Sequence, residues 1–227
     1  MAYVGNYKNE NGKRIPSVTT VIGSNIGWNK SMLMAWQNRL WEQGIDPRTV
    51  SKEACDIGTV THELIEAWIF GQDSYEPDED IGSETVFAAS EGLRQYIDWS
   101  EGTGVEYLES EIRMVSEEYQ YAGTADAIVR IDDKIYLVDF KTSKGVYDSH
   151  LVQLAAYRHM IHETTEYKID GCILVKIDKR PEVEQRVHAY YLDNDQIDNG
   201  WEVFKQAREL HETHKGFGKY LRKLNKG

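Results

Sequence analysis

The hydrophobic period of this chain switches at Gly104, and that switch constrains the fold more than any other feature. Before it, apolar residues recur at three- to four-residue spacing; in the segments that follow directly, over 106–141, they alternate. In the first part, residues 52–70 form the clearest helix, with Ala54, Ile57, Thr61, Leu64, Ile65 and Trp68 on one mostly apolar stripe. Residues 32–43 read as another helix, and a further one ends near Trp99, after an acidic loop over 73–82. Ahead of them, Asn11-Gly12 marks a hairpin turn following residues 3–7, and Pro16-Ser17-Val18-Thr19-Thr20 opens a helix capped by Ser17. In the second part, residues 106–116, 122–131 and 135–141 read as consecutive strands. A helix over 147–162 follows, apolar on most sides and so largely buried. Strands over 169–177 and 183–192, then a helix over 196–214 stopped by Gly216, close the pattern. Strands, one crossover helix and strands again predict an α/β fold: a central mixed β-sheet flanked by helices, with an N-terminal helical part. Residues 1–103, carrying His62, are expected to pack on a core of residues 104–216, with 217–227 as a basic tail, all within one domain.

With 227 residues, 41% hydrophobic and 11% aromatic, the chain can fill one core, which excludes global disorder. No run approaches the roughly 18 apolar residues of a membrane span. The first ten residues hold no apolar signal region, so secretion is not expected. Cys55 and Cys172 neither set a disulfide framework nor suffice for a zinc ribbon or an iron–sulfur cluster; a reducing cytoplasm fits them (the host cell's, for a viral protein). The net charge of −12 argues against a dedicated DNA coater. The excess is local, however. Residues 73–118 hold 14 acids and 2 bases, so the rest of the chain is neutral. Residues 205–227 carry seven bases against Glu209 and Glu212. Such a bipolar molecule presents a basic surface to an anionic substrate, unless both regions are solvated helix faces.

The chemistry centres on one hairpin. With Asp132-Asp133 as its tip, Asp126 stands opposite Asp139, the Cβ atoms roughly 5 Å apart. Lys141, two residues beyond Asp139, shares its face. Carboxylates that close repel unless one is protonated or a cation sits between them. The flanking Ile128, Val129, Leu137, Val138 and Phe140 weaken screening by water. Mg²⁺ or Mn²⁺, hard ions that keep open positions, are the simplest cations for such a pair. Either ion polarises a phosphoryl oxygen and lowers the pKa of bound water, while Lys141 adds a fixed donor for the attacking water or the developing charge. The plainer alternative makes Lys141 only a salt-bridge partner of Asp139.

Three further features converge on this hairpin. His62 lies at the edge of the apolar stripe of its helix, one turn after Gly58, whose bare Cα admits a close neighbour. Gln153 and Tyr157 lie four apart on the helix after Lys141, and a buried Gln153 demands a partner. Glu111 lies on the strand preceding that of Asp126, within reach of an ion, with Glu109 as its competitor on the same face. Together, Gly58-Thr-x-x-His62, Glu111, Gly123-Thr-x-Asp126, Asp139-Phe-Lys141-Thr-Ser and Gln153-Leu-x-x-Tyr157 resemble the PD-(D/E)xK nuclease superfamily, and within it the RecB/Cas4-like exonuclease branch. The histidine, the two aspartates and the lysine resemble the set of the mitochondrial genome-maintenance exonucleases. The segment Arg14-Ile-Pro-Ser-Val-Thr-Thr20 is similar to the opening of phage-encoded relatives. The resemblance spans about residues 16–191.

That resemblance implies a restriction-endonuclease-like core. It implies Asp126 and Asp139 as metal ligands, the Phe140 carbonyl as a third, His62 as a helix-borne ligand and Glu111 as an auxiliary carboxylate. Lys141 becomes the catalytic lysine; Gln153, Tyr157 and Ser143 position substrate or water. Two departures stand out. The second acid is Asp139 rather than the commoner glutamate, one methylene shorter. The four cysteines of cluster-bearing members are absent, so no iron–sulfur cluster is expected.

The resulting expectation is a Mg²⁺- or Mn²⁺-dependent DNA exonuclease working on single strands or duplex ends in replication, recombination or repair, with a helicase or recombination protein as partner and no membrane. Trp28, Trp36 and Trp41 are candidates for stacking unpaired bases, although core packing is expected for at least two of them. Two other readings compete. A non-catalytic nucleic-acid-binding module binds without cleaving. An acidic DNA mimic holds a basic partner even after loss of Asp126 and Asp139.

Overall fold

Gly104 is the left-handed cap of a helix. Its φ of 69° closes α4 (Ser83–Thr103) and turns the chain into β1 (Glu106–Ser116). The computed structural model describes residues 6–72, 75–78, 80–179, 183 and 187–225. Before Gly104 come α1 (Val18–Asn25), α2 (Lys30–Glu42) and α3 (Pro47–Ile69); after β1 come β2 (Tyr121–Ile131), β3 (Lys134–Lys141), α5 (Asp148–Thr164), β4 (Gly171–Ile177), β5 (Val187–Leu192) and α6 (Asn194–Leu224). Ser17 caps α1, its side chain accepting the Thr20 N–H, and Asp46 caps α3 ahead of Pro47, where the missing donor costs nothing.

The five strands lie in the sheet in the order in which the chain makes them. All neighbours are antiparallel except β3 and β4, which run parallel because α5 crosses over between them. The expected mixed sheet between helices is therefore what forms. Tyr121, Ile128, Leu137 and Leu174 pack against α1, α5 and α6 on one face. Val129, Val138, Phe140 and Val175 pack against Ile65 of α3 and Tyr96 of α4 on the other. Leu137 and Leu174 are fully buried on the central strands, each contributing about 1.5–3 kcal/mol by leaving water.

The pleat slips at one place. Ala125 and Ile128 both pack on the α5 side, while Ala127 and Val129 pack on the α3 side. Strict alternation would put Ala125 with Ala127, so the strand changes phase around Asp126. The β1–β2 ladder passes from Ser110↔Ala127 to Ile112↔Ala125, skipping Glu111 and Asp126, and Glu111 takes a φ of 52°. Irregularity of this kind re-aims side chains, and it falls on two of the expected site residues.

Several boundaries differ from expectation. Gly216 does not stop α6, which runs on to Leu224. Gly216 and Gly218 each cost only about 1 kcal/mol in a helix, and the helix formers around them carry it through. The segment expected as a basic tail thus forms the last turns of α6 as far as Leu224, with Arg222 and Lys223 suited to its negative end. The strand expected from residue 183 is seen from Val187, residues 184–186 lying outside the described residues, as do 1–5 and 226–227. Core packing of the front tryptophans is also corrected. No residue of α2 is buried, and Trp28 and Trp41 are 52% and 56% exposed. Among the described residues no helix is long and apolar enough to cross a membrane.

Candidate active site

The hairpin tip sets the site. Asp132, with φ 53°, turns the chain in two residues, and the register runs from Ile131↔Lys134 to Ala127↔Val138. One step further the ladder gives way to a side chain. Asp126 Oδ2 accepts the Phe140 N–H at 2.7 Å, so a carboxylate takes the donor that a strand neighbour would otherwise use. Asp126 and Asp139 are thereby brought onto adjacent strands, as the spacing predicts.

Asp139 is fully buried. The Lys141 ammonium lies 2.6 Å from its Oδ2, and the lysine side chain is only 18% exposed. This is an ion pair rather than an aligned hydrogen bond: neither Asp139 oxygen has a hydrogen-bond partner in the described structure. Lys141 Nζ also donates to the Phe140 carbonyl at 3.4 Å. Burial pushes the Asp139 carboxyl up to about 6, with Lys141 opposing and Asp126 adding to the rise. Burial raises Asp126 as well, against Lys141 and the Phe140 N–H.

Helix α3 brings the second wall. A Cβ on Gly58 would stand 2.7 Å from Thr142 Oγ1, so glycine is what lets α3 approach the end of β3. One turn later the His62 ring meets Phe140 edge-on, centroids 6.1 Å apart. Burial and the nearby Lys141 push His62 down to about 4, so the ring is neutral near pH 7 and keeps a lone pair for a metal. Glu66, one turn further, lines the same cleft. Glu111 opens onto that cleft from β1. Partial desolvation, Asp126 and Glu66 push its carboxyl up to about 7.

The opposite wall comes from α5 and the N-terminal segment. A Cβ on Gly123 would fall 2.5 Å from Tyr157 Cε1, so this glycine makes room for the tyrosine ring. Gln153 Nε2 donates to Tyr157 Oη at 3.0 Å. Tyr157 itself is 5% exposed and lines the cleft. Tyr7 bonds Thr124 at 3.0 Å and carries the Arg113 guanidinium over its ring at 4.8 Å. The cleft of about 1280 Å³ is lined by His62, Glu66, Glu111, Asp126 and Tyr157, and by the cations Arg14, Arg113 and Lys179. Lys179 Nζ is steadied by a 2.7 Å bond to the Ala54 carbonyl of α3.

Most of the residues singled out in the sequence therefore meet. Asp126, Asp139, Phe140, Lys141 and His62 cluster, Glu111 borders them, and Gln153 acts through Tyr157. Ser143 is placed otherwise: its hydroxyl donates to the Gly145 carbonyl at 2.7 Å, and Thr142 lines the cleft instead. Glu66 and Lys179 escaped the sequence reading. Glu66 was findable, since it lies four residues after His62 on one helix face; Lys179 follows β4 with no local signal. Among the described residues no three His, Cys, Asp or Glu side chains already form a ligand shell. The donor set still fits a hard cation, because Asp139 holds two buried oxygens without hydrogen-bond partners beside a second carboxylate, a backbone carbonyl and a neutral imidazole.

The sequence model of the PD-(D/E)XK nuclease superfamily matches residues 38–226. The chain belongs to this superfamily. Its curated relatives include mitochondrial genome maintenance exonuclease 1 of Xenopus tropicalis, 25% identical over 221 residues, which cover 87% of this chain and 59% of that protein. This superfamily member thus spans under two thirds of that relative. Among solved structures, the alkaline exonuclease LHK-Exo of Laribacter hongkongensis is 14% identical, covering 76% of this chain and 91% of its own, with a TM-score of 0.42. The same exonuclease in complex with dAMP gives 13% identity, 77% and 91% coverage and a TM-score of 0.43. These superpositions are loose, and no residue role rests on them.

Proposed function

We propose that this superfamily member is a Mg²⁺- or Mn²⁺-dependent DNA exonuclease acting on single strands or duplex ends. The observation that supports it most is Asp139, buried with two oxygens lacking hydrogen-bond partners, beside Asp126 and Lys141 under a cleft with Arg14, Arg113 and Lys179 in its walls. Asp126, Asp139 and the Phe140 carbonyl hold the metal, His62 adds a ligand from α3, and Glu111 with Glu66 forms an outer carboxylate pair. When bound, the ion polarises the scissile phosphoryl oxygen and acidifies a coordinated water. Lys141 donates to the attacking water or to the charge building on the phosphate. Tyr157, held by Gln153, closes one side of the reacting group. Arg14 and Lys179 take backbone phosphates on either side of the acidic floor. Exposed Trp28 and Trp41 stack unpaired bases, which favours single strands. On this reading the enzyme works in replication, recombination or repair, with a helicase or recombination protein alongside.

The test is a time course on end-labelled single- and double-stranded oligonucleotides and a closed circle, with and without Mg²⁺. Shortening from an end that stops in EDTA and spares the circle is expected. Tight binding without cleavage in either Mg²⁺ or Mn²⁺ would contradict the proposal.

A further inference from the structure

Among the described residues Lys141 makes two polar contacts, and both partners belong to the proposed metal shell. Its ammonium is 2.6 Å from Asp139 Oδ2 and donates to the Phe140 carbonyl at 3.4 Å. Asp126 is satisfied differently, by the Phe140 N–H. A fully buried carboxylate without a compensating charge is costly. Among the described residues, the pairing with Lys141 is the one ion pair that Asp139 makes. A divalent ion shared by Asp139 and Phe140 O would enter the space in which Nζ now stands, and two cations cannot share it.

We propose that Lys141 is a built-in counter-ion for Asp139 that must swing out before a divalent metal enters, so that one ammonium sets the metal affinity of the site as well as serving the reaction. This rests on the metal-dependent reading above. Its consequence runs against intuition: a substitution that destroys cleavage should tighten metal binding.

The experiment is a calorimetric Mn²⁺ titration at pH 8, without nucleic acid, on the wild type, Lys141→Met, Lys141→Gln, Lys179→Met and Asp139→Asn. Removal of a competing cation that touches the ligands directly should tighten Mn²⁺ binding by about tenfold in Lys141→Met and Lys141→Gln. Lys179→Met, whose ammonium bonds the Ala54 carbonyl instead, should change it by less than about threefold. Asp139→Asn should bind at least tenfold more weakly than the wild type. Should the Lys141 variants prove unfolded without metal, the wild type decides: the Lys141 side-chain ¹⁵N resonance should move on adding Mg²⁺ alone, and a stationary resonance overturns the inference. Folded Lys141 variants that bind Mn²⁺ no more tightly than the wild type also overturn it. If Asp139→Asn binds as the wild type does, the metal reading itself falls, a result distinct from the failure of the counter-ion role.

Discussion

At the scale of single residues, the two aspartates of the hairpin differ because one backbone N–H serves Asp126 while Asp139 is left to an ammonium. Burial, more than that asymmetry, governs the response to pH. Asp139 is pushed up to about 6 and Glu111 to about 7, so both take up protons as pH falls through that range. Protons then compete with metal, and the charged forms that bind metal prevail only above it. Mn²⁺ should therefore raise the melting temperature clearly at pH 8 and hardly at pH 5, as followed by differential scanning fluorimetry. Equal shifts at the two pH values would mean that these carboxyls do not hold the ion. Metal-free protein carries the opposite trend from Asp139: its folded form binds the proton more tightly than the unfolded form, so this group's contribution to stability falls as pH rises from about 4 to 6. Gly123→Ala tests the packing. Its Cβ would lie 2.5 Å from the Tyr157 ring, so the tyrosine must shift. A loss of about 1–3 kcal/mol is expected on overpacking, read by urea unfolding. That Asp126 and Asp139 fall on adjacent strands was legible because a two-residue tip fixes register by counting, although the ladder itself ends one step earlier, at Ala127↔Val138. The Asp126–Phe140 bond and the phase slip were not, because they arise where a side chain displaces a ladder bond.

Among the elements, α3 and α2 show opposite relations between sequence and role. The apolar stripe of α3 announced its buried face, and the polar edge of that stripe carries His62 and Glu66 into the cleft. Helix α2 bears the same apolar residue types but packs none of them away. Trp28 and Trp41 sit in contexts that periodicity alone assigns to a core, and only the tertiary structure shows that α2 rests lightly on its neighbour. Trp28→Ala and Trp41→Ala should therefore change stability by less than about 0.5 kcal/mol. Each should weaken single-strand binding by about 1–3 kcal/mol for the stacked base it releases, measured by fluorescence anisotropy with a labelled oligonucleotide. Unchanged affinity in both variants would remove α2 and the segment before it from the substrate path. Gly216 shows the converse: a glycine inside a strongly helical, exposed segment lowers helix stability without ending it, since nothing in α6 asks that residue for a positive φ.

For the whole molecule, the net charge of −12 conceals an uneven distribution along the chain. The acids concentrate in residues 73–118, while the last turns of α6 carry Lys215, Arg222 and Lys223. Residues 212–217 and 220–225 are exposed, so deleting 215–227 should spare the fold. It should also flatten the slope of log affinity against log salt by about one unit for every phosphate no longer neutralised. An identical slope would leave this end as a solvated helix. The layered order of helices and strands was legible throughout, because alternation and crossover fix a mixed sheet; the cleft was not, since Arg14, Lys179 and Thr142 come from three separate segments that only folding unites. Everything proposed for this cleft turns on one divalent ion held between Asp126 and Asp139. Anomalous diffraction from crystals soaked in Mn²⁺ should show a peak at about 2.0–2.3 Å from a carboxylate oxygen of each aspartate and from the Phe140 carbonyl, with the Lys141 ammonium moved off Asp139. A peak elsewhere, or none with the Lys141–Asp139 pair intact, would contradict it.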